Sequence, residues 1–267
     1  MEIKEYVSMR KNILREEVSS LSVQPHLVIV QVNEDEGSNS YIRGKIKDAG
    51  ELGVKATLIK LPVSTSESEI LALVKSLNDD KTVHGFIVQM PLPKHIDENK
   101  VKNAISPAKD VDGFHPLSLL RACTPRGILD YLKYIHVDFL GKNAVVIGRS
   151  NIVGKPMASL LIKESATVTV LHSKTKPEDM KFYLEHADLI VVAIGKKWFL
   201  DERFTLRQDA IIVDVGISRV DGVLYGDVKP GLKVFLQTPV PGGVGPLTRL
   251  ALFENLMEIM RNGIQNH

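Results

Sequence analysis

Tyr41 and Lys45 stand four residues apart in Ser40-Tyr41-Ile42-Arg43-Gly44-Lys45. On a helix this spacing puts an aromatic ring and a primary amine one turn apart on one face. A ring stacks on a flat substrate, and an amine takes part in proton chemistry. Ile42, Ile46 and Ala49 form a separate apolar stripe for a core, which leaves the ring and the amine on a face that need not be buried. Taken alone, the pair more often describes a half-buried tyrosine beside a solvated lysine, the usual state of that residue. Gln89 and the carboxylates of Lys109-Asp110-Val111-Asp112-Gly113-Phe114-His115-Pro116 are further candidates, although acidic residues before glycine also build ordinary turns.

A second kind of chemistry is written in Gly148-Arg149-Ser150-Asn151-Ile152-Val153-Gly154-Lys155-Pro156. A strand, a glycine turn and a helix hold a pyrophosphate, because glycine admits the backbone and the helix start supplies N–H groups and positive dipole. The spacing is Gly-x-Ser-x-x-x-Gly rather than Gly-x-Gly-x-x-Gly, so by itself it equally describes a structural turn. The next strand ends Leu171-His172-Ser173-Lys174-Thr175, without the carboxylate that binds a ribose 2′-hydroxyl in NAD sites. Ser173, Lys174 and the Arg149 guanidinium suit a 2′-phosphate instead, so NADP is expected over NAD. Cys123 has no assignable base beside it and reads as a structural or cleft-lining thiol. His172, at a strand end, either contacts cofactor or lies at the surface. The eight histidines show no metal-ligand spacing.

These residues need elements to hold them. Helical periodicity covers 3–20, and His26–Val32 is an apolar strand. A polar loop over Asn33–Ser40 leads to the Tyr41 helix, which ends near Gly53. A strand over Val54–Leu61, a helix capped by Ser64 or Thr65 and running to Leu77, and a strand over Gly85–Val88 follow. Asp97–Ala104 is a short helix, and Thr124-Pro125 opens another. A second alternation supplies strands at Asn143–Ile147, Thr167–Leu171, Asp188–Ala193, Ala210–Val215 and Val234–Gln237, then a helix over Thr248–Met260. Strand–helix alternation means parallel α/β sheets, in which ligands gather outside the carboxyl ends of strands. Gln89 and the loop into Tyr41 both leave such ends, so one crevice is expected to hold them.

The 267 residues suffice for one large domain or two smaller ones. A net charge of +2 without a basic cluster gives no reason for a nucleic-acid partner. No apolar run approaches the roughly 20 residues that span a bilayer. A single cysteine and no apolar leader fit a reducing, cytoplasmic setting.

Six motifs occur in order: Tyr41-x-x-x-Lys45, Val88-Gln89-Met90-Pro91-Leu92-Pro93, Lys109-Asp110-Val111-Asp112-Gly113-Phe114, Cys123-Thr124-Pro125, Gly148-Arg149-Ser150-x-x-Val153-Gly154-x-Pro156, and Pro239-Val240-Pro241-Gly242-Gly243-Val244-Gly245-Pro246. Together they resemble the bifunctional methylenetetrahydrofolate dehydrogenase/methenyltetrahydrofolate cyclohydrolase (FolD) family over nearly the whole chain. The resemblance implies an N-terminal substrate/catalytic α/β domain (1–122, joined by a returning helix 247–267). It also implies a Rossmann-type NADP-binding domain (123–246), with a cleft between the two. It implies oxidation of 5,10-methylenetetrahydrofolate to the methenyl cation, hydrolysis of that cation to 10-formyltetrahydrofolate, and a homodimer.

Carried over by motif, Lys45 manages the proton and Gln89 bonds to it. Tyr41 stacks on the folate ring, and Asp112 accepts its N–H groups. Pro241, Gly242 and Gly243 let backbone approach the folate. Gly148, Arg149, Ser150 and Ser173 hold NADP, with Thr124 and Ile217 near the nicotinamide. An attacking water must lose a proton that an ammonium cannot take, so Lys45 is neutral for part of the cycle. The chain departs from the family in a short interval between Asp112 and Cys123, an abbreviated start, Leu247 for Met and Met90 for Leu. A shikimate-dehydrogenase-like oxidoreductase gives no reason for the Pro-Gly-Gly-Val-Gly-Pro segment.

Overall fold

The structure, a computed structural model, describes residues 2–264. Its chain divides into two compact units, Ser8–Cys123 with Arg249–His267, and Met1–Val7 with Thr124–Thr248.

The first unit takes most of α1 (Ile3–Ser20), then β1 (His26–Gln31), α2 (Glu36–Leu52), β2 (Lys55–Lys60), α3 (Glu67–Asp79), β3 (Gly85–Val88) and α4 (Glu98–Ala104). Its sheet has the order β2-β1-β3, all parallel. Every residue of β1 and β3 is buried, as continuous apolar strands in a covered parallel sheet require. Val28, Val30, Ile70, Val74, Phe86, Val88 and Val101 pack into one core on the sheet. Because β1 lies between β2 and β3, the chain changes direction at its carboxyl end. That is the switch point where α/β sheets leave a crevice.

Helix α2 starts at Glu36, five residues before the expected Tyr41. Asp35 caps it by accepting the Ser38 N–H at 2.8 Å, so the polar run taken for loop is the helix's first turn. Gly53 ends it in the left-handed region, as expected. The buried stripe also differs from expectation. Ile42, Lys45, Ala49 and Leu52 are buried, whereas Ile46 is 38% exposed. Positions 42, 45, 49 and 52 follow the helical period, and 46 falls off it. Helix α3 is capped by Ser66, not by Ser64 or Thr65: the Ser66 side chain accepts the Glu69 N–H and the Glu69 carboxylate accepts the Ser66 N–H, a complete capping box.

The second unit contains α5 (Cys123–Tyr134), β4 (Asn143–Ile147), α6 (Gly154–Lys163), β5 (Thr167–Leu171), α7 (Pro177–Glu185), β6 (Leu189–Val192), β7 (Ile211–Asp214), β8 (Ile217–Val220), β9 (Val223–Gly226), β10 (Leu236–Gln237) and the start of α8 (Val244–Ile264). The parallel sheet runs β10-β7-β6-β4-β5. Its switch point is the carboxyl end of β4, between β6 and β5, where Gly148 follows. The β8–β9 hairpin was not anticipated. Its Asp221-Gly222 turn has φ of 50° and 78°, the left-handed pair that two-residue hairpin turns demand. Helix α8 starts at Val244 rather than Thr248, since Pro246 is tolerated in a first turn. Among the described residues, no helix is long and apolar enough to cross a membrane.

Candidate active site

Lys45 is 6% exposed, and its Nζ donates to Gln89 Oε1 at 3.0 Å. Gln89 is fixed in turn, its Nε2 donating to the Met90 carbonyl at 3.0 Å. Around it, Asn33 Nδ2 donates to the Pro91 carbonyl at 2.6 Å, and Gln31 Nε2 donates to Asn39 Oδ1 at 2.7 Å. The end of β1, the first turn of α2 and the segment after β3 are thereby one polar network. Tyr41 lies half-buried one turn before Lys45.

Asp112 is half-buried by its surface. Burial pushes its carboxyl above the ordinary range, while the charges of Lys45 and Lys102 and the Cys123 thiol pull it back. Lys45 and Asp112 thus share one electrostatic environment. The loop carrying Asp112 is built tightly. The Asp110 carboxylate accepts the N–H of Gly113 at 3.1 Å and of His115 at 2.8 Å. Gly113 has φ of 69°, and a Cβ there would lie 2.7 Å from the Arg121 carbonyl. The interval between Asp112 and Cys123 closes through this contact and through the Cys123 N–H bond to the Asp112 carbonyl.

In the other unit, Gly148, Arg149 and Ser173 line a pocket of about 300 Å³ together with His172, Ile194 and Lys196. Among the described residues, no carboxylate lines it. A Cβ on Gly148 would sit 2.4 Å from the Ala193 carbonyl, and one on Gly154 would sit 2.2 Å from the Gly148 carbonyl. The turn therefore requires both glycines. Arg149 after β4 and Lys196 after β6 supply positive charge, and α6 begins just beyond β4, so the lining fits an anionic dinucleotide with a 2′-phosphate. Ser150 is placed differently: its Oγ accepts the N–H of Val153 at 3.1 Å and of Gly154 at 3.3 Å, capping the start of α6. A larger cavity, about 420 Å³, lies at the amino ends of β4, β6 and β7, the end where such sheets do not gather ligands.

Thr124 Oγ1 lies 3.0 Å from Thr248 Oγ1, and Ile217 is 43% exposed on β8; neither lines the pocket. Pro241 and Gly242 belong to a loop with Gly242 at φ of 96°. A Cβ on Gly243 would meet the Pro239 carbonyl at 2.3 Å.

Two residues near Asp112 escaped sequence reasoning. Lys102 is 9% exposed, bonds Glu98 at 3.2 Å and has its Nζ 5.9 Å from the Phe114 ring centre. The Glu98-x-x-x-Lys102 spacing on a short helix was its signal. Asn255, fully buried on α8, donates to the carbonyls of Val111 at 2.7 Å and Arg121 at 3.0 Å, bracketing Asp112. An amide beside Glu254 in the otherwise apolar Leu250–Leu256 run marked it.

Residues 1–112 match the family model for the tetrahydrofolate dehydrogenase/cyclohydrolase catalytic domain. Residues 122–263 match that for the family's NAD(P)-binding domain. The chain belongs to the tetrahydrofolate dehydrogenase/cyclohydrolase family. It is 47% identical over 260 residues to the bifunctional protein FolD of Exiguobacterium sibiricum, covering 92% of this chain and 93% of that one. The Campylobacter jejuni FolD structure superposes with a TM-score of 0.91 at 39% identity, over 97% of each chain. A Trypanosoma brucei methylenetetrahydrofolate dehydrogenase-cyclohydrolase, complexed with NADP and an inhibitor, superposes with a TM-score of 0.93 at 29% identity, over 99% of this chain and 97% of that one. The family expected from the six motifs is the family found, and its two α/β units with parallel sheets are those expected.

Proposed function

We propose that the chain oxidises 5,10-methylenetetrahydrofolate with NADP and hydrolyses the methenyl product to 10-formyltetrahydrofolate. The Lys45–Gln89 contact carries this reading, set in the same field as Asp112. Tyr41 stacks against the folate ring, and Asp112 accepts bonds from its N–H groups. Lys45, neutral for part of the cycle, takes the proton that water releases on attacking the cationic carbon. Gln89 orients the amine through the turnover. Pro241, Gly242 and Gly243 present backbone to the folate. Gly148 admits the pyrophosphate, Arg149 and Ser173 bind the 2′-phosphate, and Ser150 acts by holding the turn. Thr124 and Ile217 flank the nicotinamide. NADP, when bound, supplies the electron acceptor for the oxidation. Residues 1–122 with 247–267 form the catalytic domain and 123–246 the cofactor domain. The enzyme works in the cytosol.

Incubation with methylenetetrahydrofolate and NADP is the test. Methenyl absorbance that rises and then decays to the formyl product is expected. No rise removes the dehydrogenase, and a rise without decay removes the hydrolase. We also propose a homodimer through the nucleotide unit, whose β5 is an edge strand. Sedimentation at the monomer mass refutes it.

A further inference from the structure

Two buried carboxylates of the nucleotide unit take no part in the chemistry above, yet they accept five backbone N–H groups between them. Asp227, fully buried, accepts from three successive residues: Ile194 at 2.7 Å and Gly195 at 3.0 Å on Oδ2, and Lys196 at 2.6 Å on Oδ1. These residues are the loop leaving β6, and Ile194 and Lys196 are one wall of the pocket holding Arg149 and Ser173. Converging N–H groups of this kind form a nest for a negative charge, here filled by the chain itself. Gly195, at φ of 67°, gives the loop the curvature that the nest needs.

Asp227 is anchored in its turn. Its own N–H and that of Val228 bond the Asp214 carboxylate at 2.9 and 3.0 Å. The Asp214 N–H donates to Thr238 Oγ1 at 2.8 Å, at the head of the Pro239–Gly243 loop. The surroundings leave neither carboxylate room to move. A Cβ on Gly216 would lie 1.9 Å from Asp227 Oδ2, and one on Gly226 would lie 1.9 Å from Asp214 Oδ2. We infer that Asp227, braced by Asp214, is a positioning residue for NADP: it fixes the β6 loop as a wall of the pocket that Arg149 also lines, without touching the cofactor. The inference rests on the NADP reading of that pocket.

The bonds make the expected effect specific. An amide in place of the Asp227 carboxylate turns one acceptor into a donor that faces a backbone N–H in a fully buried setting. An unsatisfied buried donor of this kind is costly. The cost falls on loop geometry before NADP binds. Asp227→Asn should therefore raise the Kd for NADP, measured by calorimetry, by roughly tenfold or more. Hydrogen exchange should show lost protection at the amides of Ile194, Gly195 and Lys196. In the oxidation, KM for NADP should rise more than kcat falls. Hydrolysis of methenyltetrahydrofolate, which needs no NADP, should persist and report that the chain is folded.

An unchanged Kd in a variant whose loop has lost protection overturns the inference, as does a loop that keeps its protection. If Asp227→Asn does not fold, Gly216→Ala decides, because its added methyl presses on the carboxylate while leaving its charge. The same rise in Kd is expected there, and an unchanged Kd refutes the role. Failure of the wild-type chain to bind NADP removes the pocket reading and this inference together. Tight wild-type binding with unaltered variants removes this inference alone.

Discussion

At the scale of single residues, the site is defined by what surrounds an amine. Lys45 is buried on the apolar stripe of its helix, and its partner is an amide. Replacing it with Met keeps the stem and removes the base. Lys45→Met should cut methenyltetrahydrofolate hydrolysis by about 10²–10⁴-fold, while calorimetry finds NADP affinity unchanged. Retained hydrolysis refutes the role. Lys102 acts on Asp112 through charge. Burial raises the Asp112 carboxyl, Lys45 and then Lys102 oppose it, and Asp110 is the acidic neighbour. If the ionised Asp112 accepts from the folate ring as proposed, Lys102→Met should move the acid limb of the kcat/KM profile for folate to higher pH. A limb that stays in place, or moves down, contradicts that link.

At the scale of elements, the turn after β4 shows how backbone shape limits chemistry. Gly148 has φ of 125°, and its missing Cβ leaves space that the Ala193 carbonyl closes from the other side. Gly148→Ala must either shift that carbonyl or open the turn, and both deform the start of α6. Loss of measurable NADP binding is expected, with hydrolysis at Lys45 maintained; binding within a few-fold of wild type denies the turn its role. The β8–β9 hairpin and the early starts of α2 and α8 have a common cause. Their signals were short: an Asp-Gly pair, one capping aspartate, and a proline at a helix start. Periodicity reads well over ten residues or more and poorly over the few that set an element's end.

At the scale of the whole molecule, buried acids make stability depend on pH. Burial pushes Asp214 up to about 7, with the charge of Asp227 adding and the N–H groups of Val228 and Asp227 opposing. The native state thus holds this proton more tightly than the unfolded chain. The resulting stabilisation is complete below the unfolded value and is lost as pH rises through about 7. Its upper bound is roughly 4 kcal/mol, at about 1.4 kcal/mol per pKa unit. Urea unfolding of wild type and Asp214→Asn across that range should give a difference curve that falls as pH rises. A flat or rising curve contradicts the shifted carboxyl.

Sequence alone determined the family, the two α/β patterns and most of the residues nominated for chemistry. Those properties are carried by local spacing: Tyr41 to Lys45 along one helix, glycines in one turn, alternating strands and helices. Tertiary structure decided which of those residues meet. Gln89 is 44 residues from Lys45 in the chain, and Asn255 is 144 from the Val111 carbonyl it secures. No spacing rule reaches so far, because such contacts follow from strand order and helix packing. Burial was decided the same way. Lys45, which sequence left free to be solvated, is enclosed because residues 42, 45, 49 and 52 turn one face of α2 inward. Asp214, inside an expected strand, and Asp227, which no motif singled out, are interior braces because glycines at 216 and 226 leave space for them.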